Sequence, residues 1–474
     1  MAFSLYTAIF LSLVIAVFFN VRREARPVVL LLASGLYISH LNERALSVLI
    51  LTTTIVYIFG LLIQYFKDKE KSKVAGVLLV ASLALLIISL SFLKFSSRIP
   101  RFSKIIIPVG FSYYAFQAIG YLVDVYNGKI RAEKNIIFFA LYMSFFPKFV
   151  SGPIEREADF VAQIREIRDI RFFDERRLSE ALGYMLYGYF MKLVVADNLG
   201  VIVAKLFNGY REYGSLWLLI GSLSYTMQIY CDFAGYSALA VGVAKIFGIE
   251  LIQNFTSPYM AVNISDFWRR WHRSLSFWLR DYVYIPLGGN RRGVLRQCVN
   301  VMIVFLLCGI WHGNGLNFLA WGILHGIYSV LDVLLRKQKN KEQPKSFFSE
   351  MKGRIITFCC ASFAWIFFGA SGLKSAINYC IAMLTAGNAG TTFMAGYNEL
   401  CKETTRINFL VVFILLVIII DIISYKRNKP FPVVLQDYVC GARYLIYYLM
   451  IIAIIIFGLY GPGYSASNFM YMNF

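Results

Sequence analysis

The sequence predicts an all-α protein that crosses a lipid bilayer many times, and three observations lead to that fold class. Hydrophobic residues make up 58% of the 474 residues, only 16% are charged, and the apolar residues gather in long runs. Soluble domains are roughly 45–50% apolar and about 25% charged. A chain this apolar cannot hide its side chains in a water-soluble core, so part of its solvent is lipid. The composition therefore excludes a soluble enzyme, a secreted disulfide scaffold and a disordered chain.

Apolar runs follow one another along the whole chain. A helical crossing needs about 20 residues, so the shorter runs are predicted to be half-crossings or re-entrant segments beside about 10–12 true crossings. The first run is predicted to be a retained span, because no basic region precedes it and no small-residue cleavage pattern follows it. In chain order the runs are 3–19, 27–39, 46–66, 74–93, 105–123, 136–150, 182–203, 216–231, 233–249, 299–311, 316–335, 355–370, 409–423 and 444–460.

The basic residues orient these runs. Lys and Arg number 47 against 27 Asp and Glu, which gives a net charge of +20. Short loops rich in Lys and Arg remain in the cytoplasm. Alternation from such loops predicts a multi-pass membrane protein with both termini outside the cytoplasm, and no nucleic-acid partner is predicted. The basic loops are 22–26, 67–73, 336–345 and 426–429.

A charged segment interrupts the apolar pattern in the middle of the chain. Residues 155–180 hold six Arg and eight acidic residues, with Phe160, Ile164 and Ile167 at helical spacing. Such a pattern is typical of an amphipathic helix that lies on the membrane surface. The sequence therefore predicts an interfacial helix in this segment.

No linker or composition change divides the chain, so a single membrane domain over 1–474 is predicted. Its parts are N-terminal spans in 1–104, a core in 105–335 and C-terminal spans in 336–474. The eight cysteines show no metal-ligand spacing with the four histidines, and no metal site is predicted.

The most unusual stretch covers 265–282, where tryptophan and arginine alternate. On one helix advancing about 100° per residue, aromatic and basic residues separate onto opposite faces and His272 lies at the border. An interfacial helix would have this pattern, and so would a cationic wall facing an anionic ligand. The apolar stripe contains Trp268, Trp271, Leu275, Trp278 and Tyr282, and the polar face contains Asp266, Arg269, Arg273 and Arg280.

A turn rich in glycine follows this stretch. Pro286 and the pair Gly288 and Gly289 force a change of chain direction before Asn290. Free backbone N–H groups beside the arginines at 291 and 292 could hold phosphate, although an ordinary basic loop has the same composition. The turn matches neither a Walker loop nor the dinucleotide-binding glycine pattern.

A second histidine, His312, lies between two apolar runs in the segment 309–315. An imidazole near a bilayer is costly to place and is often functional, and it can accept a proton at physiological pH. It could also only bridge helices through hydrogen bonds. His325 follows 13 residues later, where a straight helix would turn it away from His312.

No covalent nucleophile accompanies these histidines. The chain has no G-x-S-x-G elbow and no H-E-x-x-H zinc helix. The sequence therefore favours general-base help to a nucleophile that comes from outside the chain.

Several motifs in order resemble the membrane-bound O-acyltransferase family, in its bacterial AlgI-like branch of polysaccharide O-acetylation proteins. The chain departs from the family pattern at Ala238, where relatives usually have Asp, and at Asn314, where a small residue is common. The matching segments are 108–114, 121–126, 146–154, Lys192, 196–197, 232–237, 254–255, 258–259, 267–290, 311–313, 365–368 and 469–471.

The resemblance implies a protein of the bacterial plasma (inner) membrane with a curved wall of helices around a tunnel between the two membrane faces. An acetyl group would enter from a cytoplasmic thioester, acetyl-CoA, with no permanently bound cofactor. It would leave toward an extracytoplasmic acceptor, either through a partner of the SGNH-hydrolase type or directly to a cell-envelope or secreted polysaccharide. The family's catalytic histidine corresponds to His312, and its second signature position corresponds to His272.

The anionic thioester gives the residues around these histidines a predicted role in donor binding. The contacts would come from the two histidine motifs and from the arginines between Arg269 and Arg296, which we call the basic block. The candidate donor-binding residues are Asp266, Trp268, Arg269, Arg270, Trp271, Arg273, Ser274, Tyr282, Gly288, Gly289, Asn290, Trp311 and Gly313.

Two other functions remain open on the sequence. A DltB-like enzyme would transfer D-alanine from a carrier protein to teichoic acid. A flippase or exporter without acyl chemistry would use carboxylates inside its spans, for which Asp124, Asp197 and Asp232 are candidates.

Overall fold

A computed structural model of the protein describes residues 5–96, 108–338, 346–387, 393–403 and 406–461. Within these ranges the secondary structure is helical and contains no strand, which confirms the predicted all-α fold class. Parts of the predicted loop 336–345 and the family-like ending 469–471 lie outside the described residues, as do both chain termini. The chain forms two compact units, Met1–Leu182 with Leu239–Gln253, and Gly183–Ala238 with Asn254–Phe474.

The first unit is built from the N-terminal helices. The side chain of Asn42 accepts a hydrogen bond from the N–H of Ala45 and caps the longest of them, and Asn135 caps a shorter one. The helices are α1 (Leu5–Asn20), α2 (Arg26–Leu41), α3 (Glu43–Asp68), α4 (Ser72–Phe95), α5 (Phe111–Tyr126), α6 (Ile136–Ser144), α7 (Glu157–Glu166) and the start of α8 (Glu175–Tyr189).

The second unit contains the remaining helices and all the candidate catalytic and donor-binding residues. Its helices are α9 (Asp197–Asn208), most of α10 (Ser215–Ile246), α11 (Ile264–Arg270), α12 (Arg273–Leu279), α13 (Val294–His312), α14 (Leu316–Gln338), α15 (Phe347–Gly369), α16 (Leu373–Thr385), α17 (Phe393–Glu403), α18 (Ile407–Arg427), α19 (Phe431–Val434) and α20 (Cys440–Phe457).

Eight helices in the described part of the chain are long and apolar enough to cross a bilayer: α3, α4, α10, α13, α14, α15, α18 and α20. The apolar run at the N-terminus forms a shorter helix. α4 leaves most of its surface open, as a lipid-facing span does. In α10, by contrast, 94% of the most apolar stretch is buried inside the protein. The protein is therefore a polytopic membrane protein, and the number of true crossings remains a prediction.

α10 corrects the predicted boundary between the runs 216–231 and 233–249. The two runs form one helix of 32 residues, and Asp232, which separates them in sequence, lies inside it. The Asp232 carboxylate is buried against the ammonium group of Lys192 at 2.6 Å. The lysine therefore compensates the charge that α10 buries at this position.

The prediction for the charged segment 155–180 is wrong in part. α7 ends at Glu166 and a 3₁₀ turn follows, so no single helix covers the segment. Phe160, Ile164 and Ile167 do share one face and are fully buried. The Phe160 ring packs on the protein's own aromatic rings, 6.0 Å from Tyr142 and 5.4 Å from Phe145. The apolar face therefore contributes to the core of the unit and does not rest on lipid.

The start of α7 carries a buried acidic group. Glu157 is only 7% exposed, and the nearby carboxylate of Glu133 accepts a hydrogen bond from Arg165 at 2.6 Å. Burial, together with the charge of Glu133, raises the pKa of Glu157 to about 7, although Arg165 opposes the shift. The folded protein therefore holds a proton here that the unfolded chain would release.

This proton predicts a pH-dependent stability. Between the ordinary glutamate pKa, about 4.3, and a folded pKa of about 7, the folded state binds more protons than the unfolded state. The free energy of unfolding should thus fall as the pH rises from 5 to 8. Glu157→Gln should flatten this dependence in thermal unfolding scans of the purified protein. The exposed Glu166→Gln on the same helix is the control, and equal pH slopes for wild type and Glu157→Gln would contradict the prediction.

Candidate active site

The chain breaks at His272, which corrects the single helix predicted over 265–282. Trp271 is extended, with φ −94° and ψ 127°, and His272 is left-handed, with φ 43° and ψ 54°. Asn254 explains the break. Its carbonyl accepts the N–H of Arg273 at 3.0 Å and its side chain accepts the N–H of Ser274 at 3.2 Å. α12 therefore begins on Asn254 instead of continuing from α11.

This break directs His272 inward. The imidazole is fully buried, and the edge-to-face contact with the Phe233 ring has a centroid separation of 4.7 Å. Burial lowers the pKa of His272 to about 3. The ring is therefore neutral at physiological pH and can donate or accept a hydrogen bond without carrying charge.

His312 is the last residue of α13 and is held where α13 and α14 cross closely. A side chain on Gly309 would meet the Phe318 carbonyl at 2.6 Å, and one on Gly322 would meet the Phe305 carbonyl at 2.5 Å. Small residues at these positions let the two backbones approach. The close crossing holds the end of α13, and therefore His312, in a fixed position relative to α14.

Aromatic rings surround the His312 imidazole. The ring centroids of Trp311, Trp321 and Phe368 lie 4.8, 5.1 and 5.2 Å from it. The Trp311 centroid is also 6.2 Å from that of His272. One indole thus contacts both predicted catalytic histidines, and the structure brings together two residues that are 40 positions apart in the sequence.

His325 also belongs to this cluster. The Trp321 ring is 5.0 Å from His325 and 5.1 Å from His312. On one straight helix His325 would face away from His312, but α13 ends at His312 and α14 begins at Leu316. The turn between them lets α14 pack back against α13, and Trp321 contacts both histidines.

Some predicted donor-binding residues form the wall of this aromatic cluster. Trp271 is buried and packs on Trp365 in a tilted contact with ring centroids 4.8 Å apart, while Ser274 is buried at the start of α12. The Trp268 Nε1–H donates to Nδ1 of His325 at 3.3 Å. Gly313 has no room for a side chain, because a Cβ there would lie 2.3 Å from the Phe318 ring.

The three arginines of the predicted donor site differ in what already contacts their charge. Arg270 is neutralised by Asp266, with Nε and Oδ1 3.0 Å apart, and its guanidinium lies over the Tyr425 ring. Arg273 lies over the Phe277 ring at 5.4 Å, and Arg269 is exposed. A cation that is already paired offers less to an anionic ligand, so Arg269 is the stronger candidate of the three.

The glycine turn is tied to α13. Gly288 and Gly289 have φ +103° and +57°, a region that favours glycine. The side chain of Asn300 donates to the carbonyls of Leu287 and Gly289 at 3.3 and 2.9 Å. Asn290 is exposed at the tip, and Tyr282 packs on Trp278 at 5.1 Å. Both lie apart from the aromatic contacts described for His272 and His312.

A buried ion cluster was not predicted. Lys192 lies in a π-helical segment, Phe190–Ala196, whose residues are all buried. Its ammonium group is 2.7 Å from the Asp197 carboxylate and 2.6 Å from that of Asp232. Each residue occurs in a family-like motif, but no sequence spacing indicates that one lysine lies between the two aspartates. Extended π-helical segments are rare and often occur at functional sites.

A second buried carboxylate lines a large apolar cavity. Asp421 accepts a hydrogen bond from the Tyr230 hydroxyl at 2.8 Å. The cavity has a volume of about 640 Å³ and is otherwise lined mainly by hydrophobic side chains of α9, α10, α15, α17 and α18. An aspartate inside the apolar run 409–423 was the one signal that could have indicated this site, because an ionisable residue within a span is costly.

The fold and the site together define a polytopic helical membrane protein with histidines buried in an aromatic cluster. Residues 129–373 match the model of the MBOAT, membrane-bound O-acyltransferase family. The chain belongs to the membrane-bound O-acyltransferase family.

Three relatives illustrate what the chain is similar to. A "Probable alginate O-acetylase AlgI" of Pseudomonas fluorescens is 32% identical over 81% of this chain and 75% of its own length. A peptidoglycan O-acetyltransferase of Helicobacter pylori is 34% identical, over 64% and 61%. A teichoic acid D-alanyltransferase of Lacticaseibacillus rhamnosus is 29% identical, over 60% and 75%. The chain spans between about half and three quarters of the length of the curated relatives it matches.

Proposed function

We propose that the protein moves an acetyl group from a cytoplasmic thioester, acetyl-CoA, to an extracytoplasmic hydroxyl acceptor, for the O-acetylation of a cell-envelope or secreted polysaccharide. The observation that carries the proposal is the Trp311 indole, which contacts both His272 and His312 inside a buried aromatic cluster. The similarity to alginate and peptidoglycan O-acetylating proteins supports the same reaction.

His312 would act as the general base. Its imidazole removes the proton of the acceptor hydroxyl as that oxygen attacks the thioester carbonyl. The new C–O bond forms, the C–S bond breaks, and the proton passes from the imidazolium to the departing thiolate. The surrounding Trp311, Trp321 and Phe368 rings keep water from competing as the nucleophile.

His272 would position the acyl group or share the proton. Because its ring is buried and neutral, it can hydrogen-bond to the thioester carbonyl without a charge that would need a counter-ion. The nucleophile is proposed to be a serine of an SGNH-type extracytoplasmic partner, which then acetylates the glycan. Direct transfer to the polysaccharide is the simpler variant.

One assay tests the reaction against both alternatives. The purified protein in lipid is given acetyl-CoA, or a D-alanine-loaded carrier protein, together with an SGNH-type partner or a polysaccharide acceptor. We expect acetyl transfer when acetyl-CoA is the donor and no transfer when the D-alanine-loaded carrier is the donor. Transfer only from the loaded carrier would instead support D-alanyl transfer. Turnover in detergent, where no transmembrane gradient exists, would exclude a flippase without acyl chemistry.

Charge neutralisation tests where the donor binds. Arg269→Gln and Arg273→Gln should each raise the KM for acetyl-CoA about two- to fivefold, as expected for one partly solvated charge contact. The effect should shrink at high salt because such contacts are screened. Steady-state kinetics at two ionic strengths measures both effects.

The exposed Lys69→Gln and Lys71→Gln are the matched controls for this experiment. Both residues lie in a basic loop that the positive-inside pattern explains. Equal changes in KM for the lysine and arginine variants would show that the basic block does not bind acetyl-CoA and only orients the protein in the membrane.

A further inference from the structure

His325 combines features that the proposed reaction does not yet use. It is fully buried in α14, and its Nδ1 accepts the indole N–H of Trp268 at 3.3 Å. An indole nitrogen can only donate, so Nδ1 carries no proton and the ring is the neutral tautomer with its hydrogen on Nε2. The contact with Trp268 therefore fixes both the tautomer and the orientation of the ring.

The same ring also contacts Trp321. The centroids of His325 and Trp321 are 5.0 Å apart, and Trp321 meets the His312 imidazole edge-to-face at 5.1 Å with an interplanar angle of 87°. Trp268 and Trp321 also contact each other, at 5.9 Å. His325, Trp268 and Trp321 thus form a closed group of rings, and Trp321 is the member of the group that contacts His312.

The helices that carry this group are joined at a second point. Asp332, two turns after His325 on α14, accepts hydrogen bonds from the backbone N–H and the hydroxyl of Ser265 near the start of α11. Trp268 follows one turn later on α11. The Ser265–Asp332 contact sets the spacing of the two helices, and the Trp268–His325 bond sets the orientation of the rings between them.

We propose that His325 is a positioning residue for the acyl-transfer site: by holding the Trp268 indole and packing on Trp321, it keeps His312 in the orientation that proton transfer requires. This inference rests on the proposed function. A phenylalanine would fill the same space but would remove the acceptor of the part-buried Trp268 N–H. Histidine supplies a flat ring and an acceptor in one residue.

Three substitutions of His325 separate its ring from its acceptor. Asn places an amide oxygen near the position of Nδ1, Gln places its amide near Nε2, and Phe keeps the ring alone. We expect His325→Asn to retain most of kcat, and His325→Phe and His325→Gln to lower kcat on the order of tenfold or more, since small misplacements of catalytic groups have such effects. The KM for acetyl-CoA should change less than kcat.

A double-mutant cycle tests the coupling. In a Trp268→Phe background the indole donor is gone, so His325→Phe should lower kcat little further. Tyr328→Phe is the matched control, because Tyr328 lies on the same helix and contacts the His325 ring at 5.9 Å outside this group. Wild-type kcat in folded His325→Phe, or equal losses for Asn and Gln, would overturn the proposal.

A second readout separates this inference from the proposed function. The indole N–H resonance of Trp268 in the ¹⁵N-labelled protein, identified by its loss in Trp268→Phe, should shift in His325→Phe and remain close to the wild-type position in His325→Asn. An unshifted resonance in His325→Phe overturns the positioning role whatever the activity. Absence of acetyl transfer by the wild-type protein, with the resonance shifting as expected, would contradict only the proposed function.

Discussion

Replacing His312 with alanine is expected to lower the kcat for acetyl transfer by at least about a hundredfold, because general-base catalysis contributes typically 10²–10⁴-fold. The His312 imidazole lies among the rings of Trp311, Trp321 and Phe368, and the His272 ring centroid is 6.2 Å from that of Trp311. The KM for acetyl-CoA should change little, since the basic block that would bind the donor remains. Steady-state transfer rates with the purified protein measure both constants.

The fold must be shown to survive this substitution. Alanine leaves space among Trp311, Trp321 and Phe368, so a modest loss of stability is expected, of the size seen for other large-to-small changes in cores. Thermal unfolding and tryptophan fluorescence report it. His40→Ala is the matched control, because His40 lies in α2 and stacks on Tyr6 at 3.9 Å, with no role in the proposed reaction. Turnover by folded His312→Ala at the wild-type rate would rule out the base assignment.

The sequence was sufficient to predict the membrane fold, and it singled out two histidines that the structure places against one indole. Apolar runs long enough to cross a bilayer are local features, and so is an imidazole between two such runs. The motif around His312 and the aromatic pattern around His272 each marked a site. Neither sequence pattern indicates how far apart the two histidines lie, however. Their shared contact with Trp311 depends on how α12 and α13 pack.

The break at His272 shows why local periodicity was insufficient. Over 265–282 the helical spacing of aromatic and basic residues is consistent, and it predicted one helix. The competing interaction comes from Asn254, whose carbonyl and side chain take the N–H groups of Arg273 and Ser274. A partner almost 20 residues away is invisible to a helical projection. Asn254 belonged to a family-like motif, but nothing in the motif indicated which N–H groups it would bind.

The buried ions were missed for a related reason. Lys192, Asp197 and Asp232 were each visible, and the two aspartates were considered as carboxylates of a possible carrier. Their pairing joins the π-helical segment to α10 across 40 residues of sequence. Only the three-dimensional structure shows that one ammonium group lies between two carboxylates. The cluster contains two negative charges and one positive charge, all largely withdrawn from water.

Lys192→Met should therefore be the most destabilising of the substitutions considered. It leaves the carboxylates of Asp197 and Asp232 buried and facing each other without a cation. Removing one partner of a buried ion pair costs about 3–5 kcal/mol, and the second carboxylate adds repulsion. We expect a large fall in unfolding temperature, or protein that folds only when the charge is also removed from its partners.

The double variant Lys192→Met with Asp232→Leu tests that reason. Replacing a buried ion pair by apolar groups is often close to neutral, so it should recover part of the stability, with Asp197 left near the partly exposed edge of the cluster. Lys205→Met is the surface control, because its pairing with Glu399 at 3.0 Å is about one-third exposed on each side and contributes little. Equal unfolding temperatures for Lys192→Met and Lys205→Met would show that the cluster is hydrated and that its ion pairs do not stabilise the fold. If the double variant recovers the unfolding temperature but not acetyl transfer, the ion cluster contributes to the reaction as well as to the stability of the fold.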